Sequence, residues 1–526
     1  MECEPVRQDL RFRVETGPAL KDTSPQIETE ALQTAAMEES SQPSHDSVRM
    51  SNLDLIRSLQ HTERDLFYST YWEDICLPAM HPMFRSISIS AWDYPMLNDA
   101  ILALSSCNLS RIRPDGRGLS SFHAAAYRPS LIHQTRSQLY YSSAIRRFVS
   151  LNRLDSQSCP EIVFTVLVLF AYIESSMGNF HGFQCHVQGL TNFLLELREA
   201  MGDVVTKALL TAWMQVRFVV WWARAYFSTI GIHRGLPSVP LPGLLAGHSE
   251  SIEGRRIAVL SIMCESHRLN SREVLSHWSP LAEDKELNGQ SHSTRDTAEM
   301  VVLQLAEEAK KLDEWLLHLP LSEQPVQEQL SQRDSDSILG HSAPVRFHSH
   351  DAALNFAYYV VARMMQCTSL LRQLQIPYLN HFGPLCAEEE VWVEVLVKIA
   401  KGVNLKDSIS KNTYTIGFSS LMLAAILRCN NVPLGIEIEN WLETLRSLHP
   451  TEEGAFPIYQ TLGVVKAVNQ QRIMGREIFG VTLPIDDAGG KPKFTAYNSQ
   501  SISPLVLHGR CLVAGELFTE CALIDL

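Results

Sequence analysis

The chain contains no C-x-x-C pair, no G-x-G-x-x-G, no Walker-type glycine loop, no H-E-x-x-H and no G-x-S-x-G. Phosphate cradles need glycines where backbone amides approach the ligand, and nucleophile elbows need a strained turn; neither pattern occurs, so the reading is a non-enzyme with no cofactor of its own. Runs of Lys and Arg are also missing. The nearest are Arg11 to Arg13 and the pairs Arg146–Arg147 and Arg255–Arg256, against a net charge of −13. Such a surface repels a phosphate backbone, which argues against nucleic-acid binding by the chain as it stands. The eleven cysteines are odd in number and scattered through apolar runs. That is the pattern of buried, reduced thiols in an intracellular protein. The longest apolar run, Ile162 to Ile173, is about 12 residues, short of a bilayer span, and the polar, acidic N-terminus is not a signal peptide. A soluble protein without membrane contact is expected.

What is present is helical patterning. Hydrophobic residues make up 45% of 526, ample for a large core. Residues 1–52 are expected to be a disordered linker, since 15–52 are rich in Ser, Thr, Pro and Glu and cannot offset chain entropy by burial. From there to 526, apolar residues recur at helical intervals. Leu66, Phe67, Tyr71 and Ile75 do so until Pro78, where a stop is expected; so do Tyr141, Ala144, Ile145 and Phe148, and Leu305, Ala309, Leu312 and Leu316 before Pro320. "PEIVFTVLVLFAYIESS" is apolar nearly all round and predicts a central buried helix. "VWVEVLV" alternates like a strand, but the preceding "EEE" suits a helix N-terminus and the segment is read as helix. "GVVKAVNQQRIMGREIF" is read as a helix too, 321–350 as a polar loop, and no segment as strand-rich. The expectation is an all-α fold, about 15–20 helices in one continuous body over 53–526.

Three clusters bear weighing. His341, His348, His350 and Asp351 offer metal-ligand types, but the simpler reading is an exposed polar loop with Asp351 capping the next helix. His181, Cys185 and His186 are spaced for a zinc pair; the reading preferred is one His bonding between helices while Cys185 fills core. "WMQVRFVVWWARAYF" carries Trp213, Trp221 and Trp222 with Arg217 and Arg224. It is either a buried helix whose arginines snorkel or pair, or an aromatic pocket with arginines for an anionic effector. No catalytic, cofactor or metal residue is assigned.

In order along the chain, "NDAILALSSCNLSR", "PEIVFTVLVLFAYIES", "HVQGLTNFL", "WWARAYFSTIG" and "NFAYYVVARMMQC" resemble the regulatory region of fungal-specific transcription factors that follows a Zn2Cys6 cluster. The likeness covers about residues 55 to 480. At the start, Cys3 sits where the sixth zinc-binding cysteine would stand, and "DLRFRVETG" resembles the segment after it. One cysteine cannot build a tetrahedral zinc site, so the chain is read as a family member whose cluster is lost or lies upstream. The resemblance implies a transcriptional regulator in the nucleus, with a secondary-metabolite gene cluster as its target. It implies promoter DNA reached only through the missing cluster or a dimer partner, zinc only if that cluster exists, and transcription proteins and a small-molecule effector as partners. The alternative is a helical accessory or ligand-binding protein that reuses the scaffold without DNA.

Overall fold

The computed structural model describes residues 63–89, 93–112, 129–151, 159–177, 180–197, 203–247, 250–278, 291–326, 343–375, 387–454, 456–484 and 504–524. The expected linker, Cys3, His341 and Cys386 lie outside them.

Helix α1 (63–71) continues through a π turn, Trp72–Cys76, into a last turn, Leu77–Ala79. Pro78 therefore does not stop it: the turn shifts the ladder so that Leu77 N–H bonds Trp72 O, and the ring of Pro78 falls at a fresh helix start where no N–H is required. Then come α2 (Met83–Ile89), α3 (Pro95–Ile112), α4 (Leu131–Val149), α5 (Pro160–Met177), α6 (Phe180–Leu197), α7 (Asp203–Tyr226), α8 (Ile230–Arg234), α9 (Ile252–Ser276) and α10 (Ser291–Leu317). They are followed by α11 (His350–Gln366), α12 (Ser369–Gln375), α13 (Ala387–Gly402), α14 (Leu405–Lys411), α15 (Phe418–Ile426) and α16 (Val432–Ser447). A two-strand hairpin, β1 (Glu452–Glu453) and β2 (Phe456–Pro457), precedes α17 (Ile458–Ile473), and β3 (Arg476–Thr482), β4 (Pro504–Cys511) and β5 (Leu517–Leu523) close the chain. The described residues are mainly helical, in line with the all-α expectation.

The caps follow from short polar side chains. Ser251 Oγ accepts from Gly254 N–H to open α9, and Asn431 Oδ1 accepts from Leu434 N–H to open α16. Glu388, Glu389 and Glu390 in the first turn of α13 meet its positive end, and "VWVEVLV" is helix. α5 is buried from Val163 to Glu174, and one apolar cluster extends from Trp72 to Ile524. α9 lies at the centre, packed on α7, α10, α11 and β3.

A single carboxylate organises the far side. Glu453, fully buried, accepts from the first amides of α15, Phe418 N (3.0 Å) and Ser419 N (2.7 Å), and from Ser408 Oγ (2.7 Å) and Asn412 Nδ2 (2.6 Å). Its charge sits at the positive end of a helix. A Cβ at Gly417 would overlap this carboxylate, and one at Gly454 (φ 66°) would overlap the backbone of Gly417.

Three expectations change. "GREIF" is not helix: α17 ends at Ile473, Gly475 takes φ 78°, and β3 pairs antiparallel with β4, and β4 with β5. β3 is buried on both faces against α17 and α9, so its pattern is a continuous apolar run rather than an alternation. Asp351 does not cap α11; Ser349 Oγ does, accepting from Ala352 N–H (3.1 Å). Nor are all apolar segments short of bilayer length. By length and composition, Pro160–Met177 and Val204–Tyr226 could cross a membrane, because half-polar residues such as Thr and Ser do not interrupt them; each is 72% buried inside the body.

Candidate functional site

α9 borders two cavities, one along each half. Along the N-terminal half runs an open groove with about 880 Å³ of room for water-sized spheres. Its floor is Ala258, Ser261, Ile262 and Glu265 of α9, one wall is Glu308, Lys311 and Trp315 of α10, and the other is the loop Ser238–Leu241. The α9 residues recur at three- and four-residue steps, which places them on one face. Trp315 is fixed by its indole N–H donating to Arg255 O (3.0 Å) and by stacking on Tyr359 at 5.9 Å. The charges here are paired. Arg268 Nε donates to Glu265 (2.9 Å), Lys311 to Glu308 (2.6 Å), and Arg255 Nε to Glu323 (3.0 Å). Burial pushes the Glu265 carboxyl up, but Arg268 outweighs it and holds it below the usual range. At Glu308 burial wins over Lys311, and that carboxyl is raised.

Beside the C-terminal half is a much smaller cavity with about 20 Å³ of such room, lined by Tyr226, His233, His267, Ser271 and Arg428 with apolar walls including Val274 and Leu275. His267 Nε2 lies 2.7 Å from Tyr226 Oη and Nδ1 lies 3.4 Å from Ser271 Oγ. Burial holds both imidazoles in the neutral form. His233 falls to about 3, and His267 well below its usual value with Arg428 adding to the effect.

The Trp–Arg stretch lies on α7, between these spaces and α5. Trp221 Nε1 donates to Pro237 O (2.9 Å), Trp222 is buried 5.0 Å from the His267 ring, and Arg217 lies over Trp213 (5.8 Å) with Met214 Sδ at 3.7 Å. Arg217 and Arg224 do not line either cavity; of this stretch, only Ala225 and Tyr226 reach one.

The His–Cys cluster separates. Cys185 is exposed rather than in the core, because on α6 it falls on the outer side while His186 turns inward. His186 Nε2 sits 2.7 Å from Tyr141 Oη, which donates to Glu174 Oε1 (2.6 Å). With Tyr141 donating to Glu174, His186 donates from Nε2, and its Nδ1 has no partner. Burial, then the Glu174 charge, raises the Tyr141 phenol well above its usual value. Helices α4, α5 and α6 thus meet, through Tyr141, Glu174 and His186, in one buried chain of hydrogen bonds. The side chain of His181 lies outside the described residues.

In the third cluster His348 is exposed, His350 Nε2 is 2.9 Å from Asn412 Oδ1, and Asp351 pairs with Arg256 (2.5 Å), so the groups point to different neighbours. Among the described residues no three His, Cys, Asp or Glu converge as a metal site would need. Five of the nine described cysteines are buried.

Neither cavity was legible in the sequence. Residues 226, 233, 267 and 428 share no local spacing, and the groove is assembled from one face each of two helices and a loop. No protein-family model, curated protein or solved structure matches the chain.

Proposed function

We propose that this chain is the helical regulatory body of a transcriptional regulator, working in the nucleus on a secondary-metabolite gene cluster, with a small-molecule effector held in the groove between α9 and α10. The observation that carries the effector part is the groove itself: about 880 Å³, within the range of small-molecule sites, with Ala258, Ile262 and Trp315 as apolar contacts among fixed polar and charged groups. The regulatory part rests on the ordered resemblance of the five stretches. The body acts without catalysing a reaction, and promoter DNA is reached through a zinc cluster or a dimer partner.

The test joins the intact chain to a heterologous DNA-binding domain above a reporter gene. Reporter output several-fold above or below that of the DNA-binding domain alone supports the regulatory reading, and no change overturns it. The effector reading is tested separately by melting the chain against a metabolite panel, with Ala258→Trp as the filled-groove control. A compound that raises the melting temperature of the parent chain and not of the variant supports it.

The net charge of −13 without a basic run favours a second reading, an accessory ligand-binding protein that never meets DNA. A silent reporter together with a groove-specific ligand selects it.

A further inference from the structure

The smaller cavity borders a buried cation that has no direct ion pair among the described residues. Arg428 is only 6% exposed, and all of its hydrogen bonds go to neutral acceptors. Nε and Nη2 donate to Asn270 Oδ1 (3.1 and 2.8 Å), Nη1 donates to Leu427 O and Phe479 O (both 3.0 Å), and Nη2 reaches Ser271 Oγ (3.4 Å). The geometry of the guanidinium is satisfied while its charge is not. Three other buried arginines meet carboxylates: Arg111 with Glu452, Arg510 with Glu477 and Arg256 with Asp351. Arg428 has no ion pair among the described residues. The carboxylate whose field it feels, Glu389, makes no hydrogen bond to it and accepts instead from Ser369 Oγ and Leu370 N. Burying a lone cation is expensive, and the usual remedies are a partner or an ion.

The lining supplies what an anion needs. His233 is 5% exposed, and neither of its ring nitrogens has a partner. A neutral imidazole always carries one N–H, so a buried donor is left unspent. When His267 Nε2–H donates to Tyr226 Oη, the phenol O–H is also left to donate. No carboxylate lines the cavity, and the remaining walls are apolar: Val274, Leu275, Leu427 and Val481. Size then selects the class. About 20 Å³ holds one water-sized sphere, which excludes phosphate, sulfate and organic acids.

We propose that this cavity is a binding site for a single halide ion, held by the field of Arg428 and by N–H and O–H donors of His233 and Tyr226. The ion lies where α9, the turn after α15 and strand β3 are joined through Arg428, so its binding ties the C-terminal sheet to the helical body. This site is separate from the groove and does not depend on the regulatory reading.

The test follows the melting temperature of the intact chain while sodium chloride, and in a second series sodium bromide, replaces sodium gluconate at constant ionic strength. The expected result is a saturable rise of about 2–4 °C in both halides. Superimposable halide and gluconate curves overturn the proposal and leave a water in the cavity. Arg428→Met removes all five of these bonds and destabilises the chain whatever the cavity holds, so the discriminating variant is His233→Leu, which takes away an unpaired donor at similar volume. It should fold and lose at least half of the halide-dependent rise; a full rise in His233→Leu overturns the assignment. Crystals grown in bromide give an independent readout. An anomalous peak bordered by Tyr226, His233 and Ser271 supports the site, and a cavity without one overturns it.

Discussion

At its N-terminal half α9 carries Arg255, Arg256, Glu265 and Arg268, and each meets an opposite charge, on Glu323, Asp351, or, for the last two, each other. At its C-terminal half it surrounds Arg428 with Asn270, Ser271 and backbone carbonyls, all neutral. The difference teaches what each arrangement is good for. Paired charges beside the groove cancel one another and leave little net field for its contents. Neutral acceptors around a buried cation fix its position and leave its field directed into the cavity. One end is neutralised by its own pairs, the other is built to be filled.

Four measurements break or sharpen that contrast. The largest effect belongs to Arg428→Met, which strands Asn270 Oδ1, Leu427 O and Phe479 O and should cost about 3–5 kcal/mol, read from the urea midpoint. A loss below ~1 kcal/mol would mean the C-terminal end is not organised by this residue.

The second is pH dependence. His233 titrates at about 3 and His508, also beside this region, at about 4, both lowered first by burial. Their folded values lie below the unfolded one, so between pH 6.5 and 4 the unfolded chain binds more protons and stability falls as the solution is acidified. Each group contributes up to about 1.4 kcal/mol per pH unit. His233→Leu should therefore flatten the stability–pH profile by about that slope; an unchanged slope refutes the buried neutral imidazole.

Third, Tyr226→Phe deprives His267 Nε2 of its partner and should cost about 1–3 kcal/mol in the same urea assay. The smallest effect is at the groove, where Arg268→Gln removes the pair with Glu265 but keeps a hydrogen-bond donor, and should change stability by no more than ~1 kcal/mol, less at high salt. A larger loss there would erase the distinction between the two ends.

The fold was legible where a local signal repeats. Val163 to Ile173 is apolar on all sides and is a buried helix, and the three glutamates before Val391 mark a helix start as expected. The sheet was not, because Ile478, Phe479 and Val481 are buried on both faces and follow α17 after two residues, leaving neither an alternation nor a long punctuating loop. The capping error has a similar origin: Ser349 and Asp351 are both good caps, and only the backbone angle at 349 decides. The site was less legible still. His186 bonds between helices as expected, but Arg428 stands in "AILRCNN" with no local hint that Asn270, 158 positions earlier, receives it. Periodicity reports which face of a helix is buried; it does not report which distant side chain meets it there.

Glu453 carries a consequence for synthesis. All nine residues of α15 are buried in the finished molecule, and the carboxylate that receives the amide of Phe418 comes 35 residues later in the chain. As the polypeptide leaves the ribosome, α15 emerges before the group that caps it. At 5–20 residues per second that interval is roughly 2–7 s, during which a helix destined for full burial has neither its cap nor the α17 surface it packs on. Slowing translation between codons 418 and 453, with no change in any amino acid, lengthens the exposure and should lower the yield of folded protein.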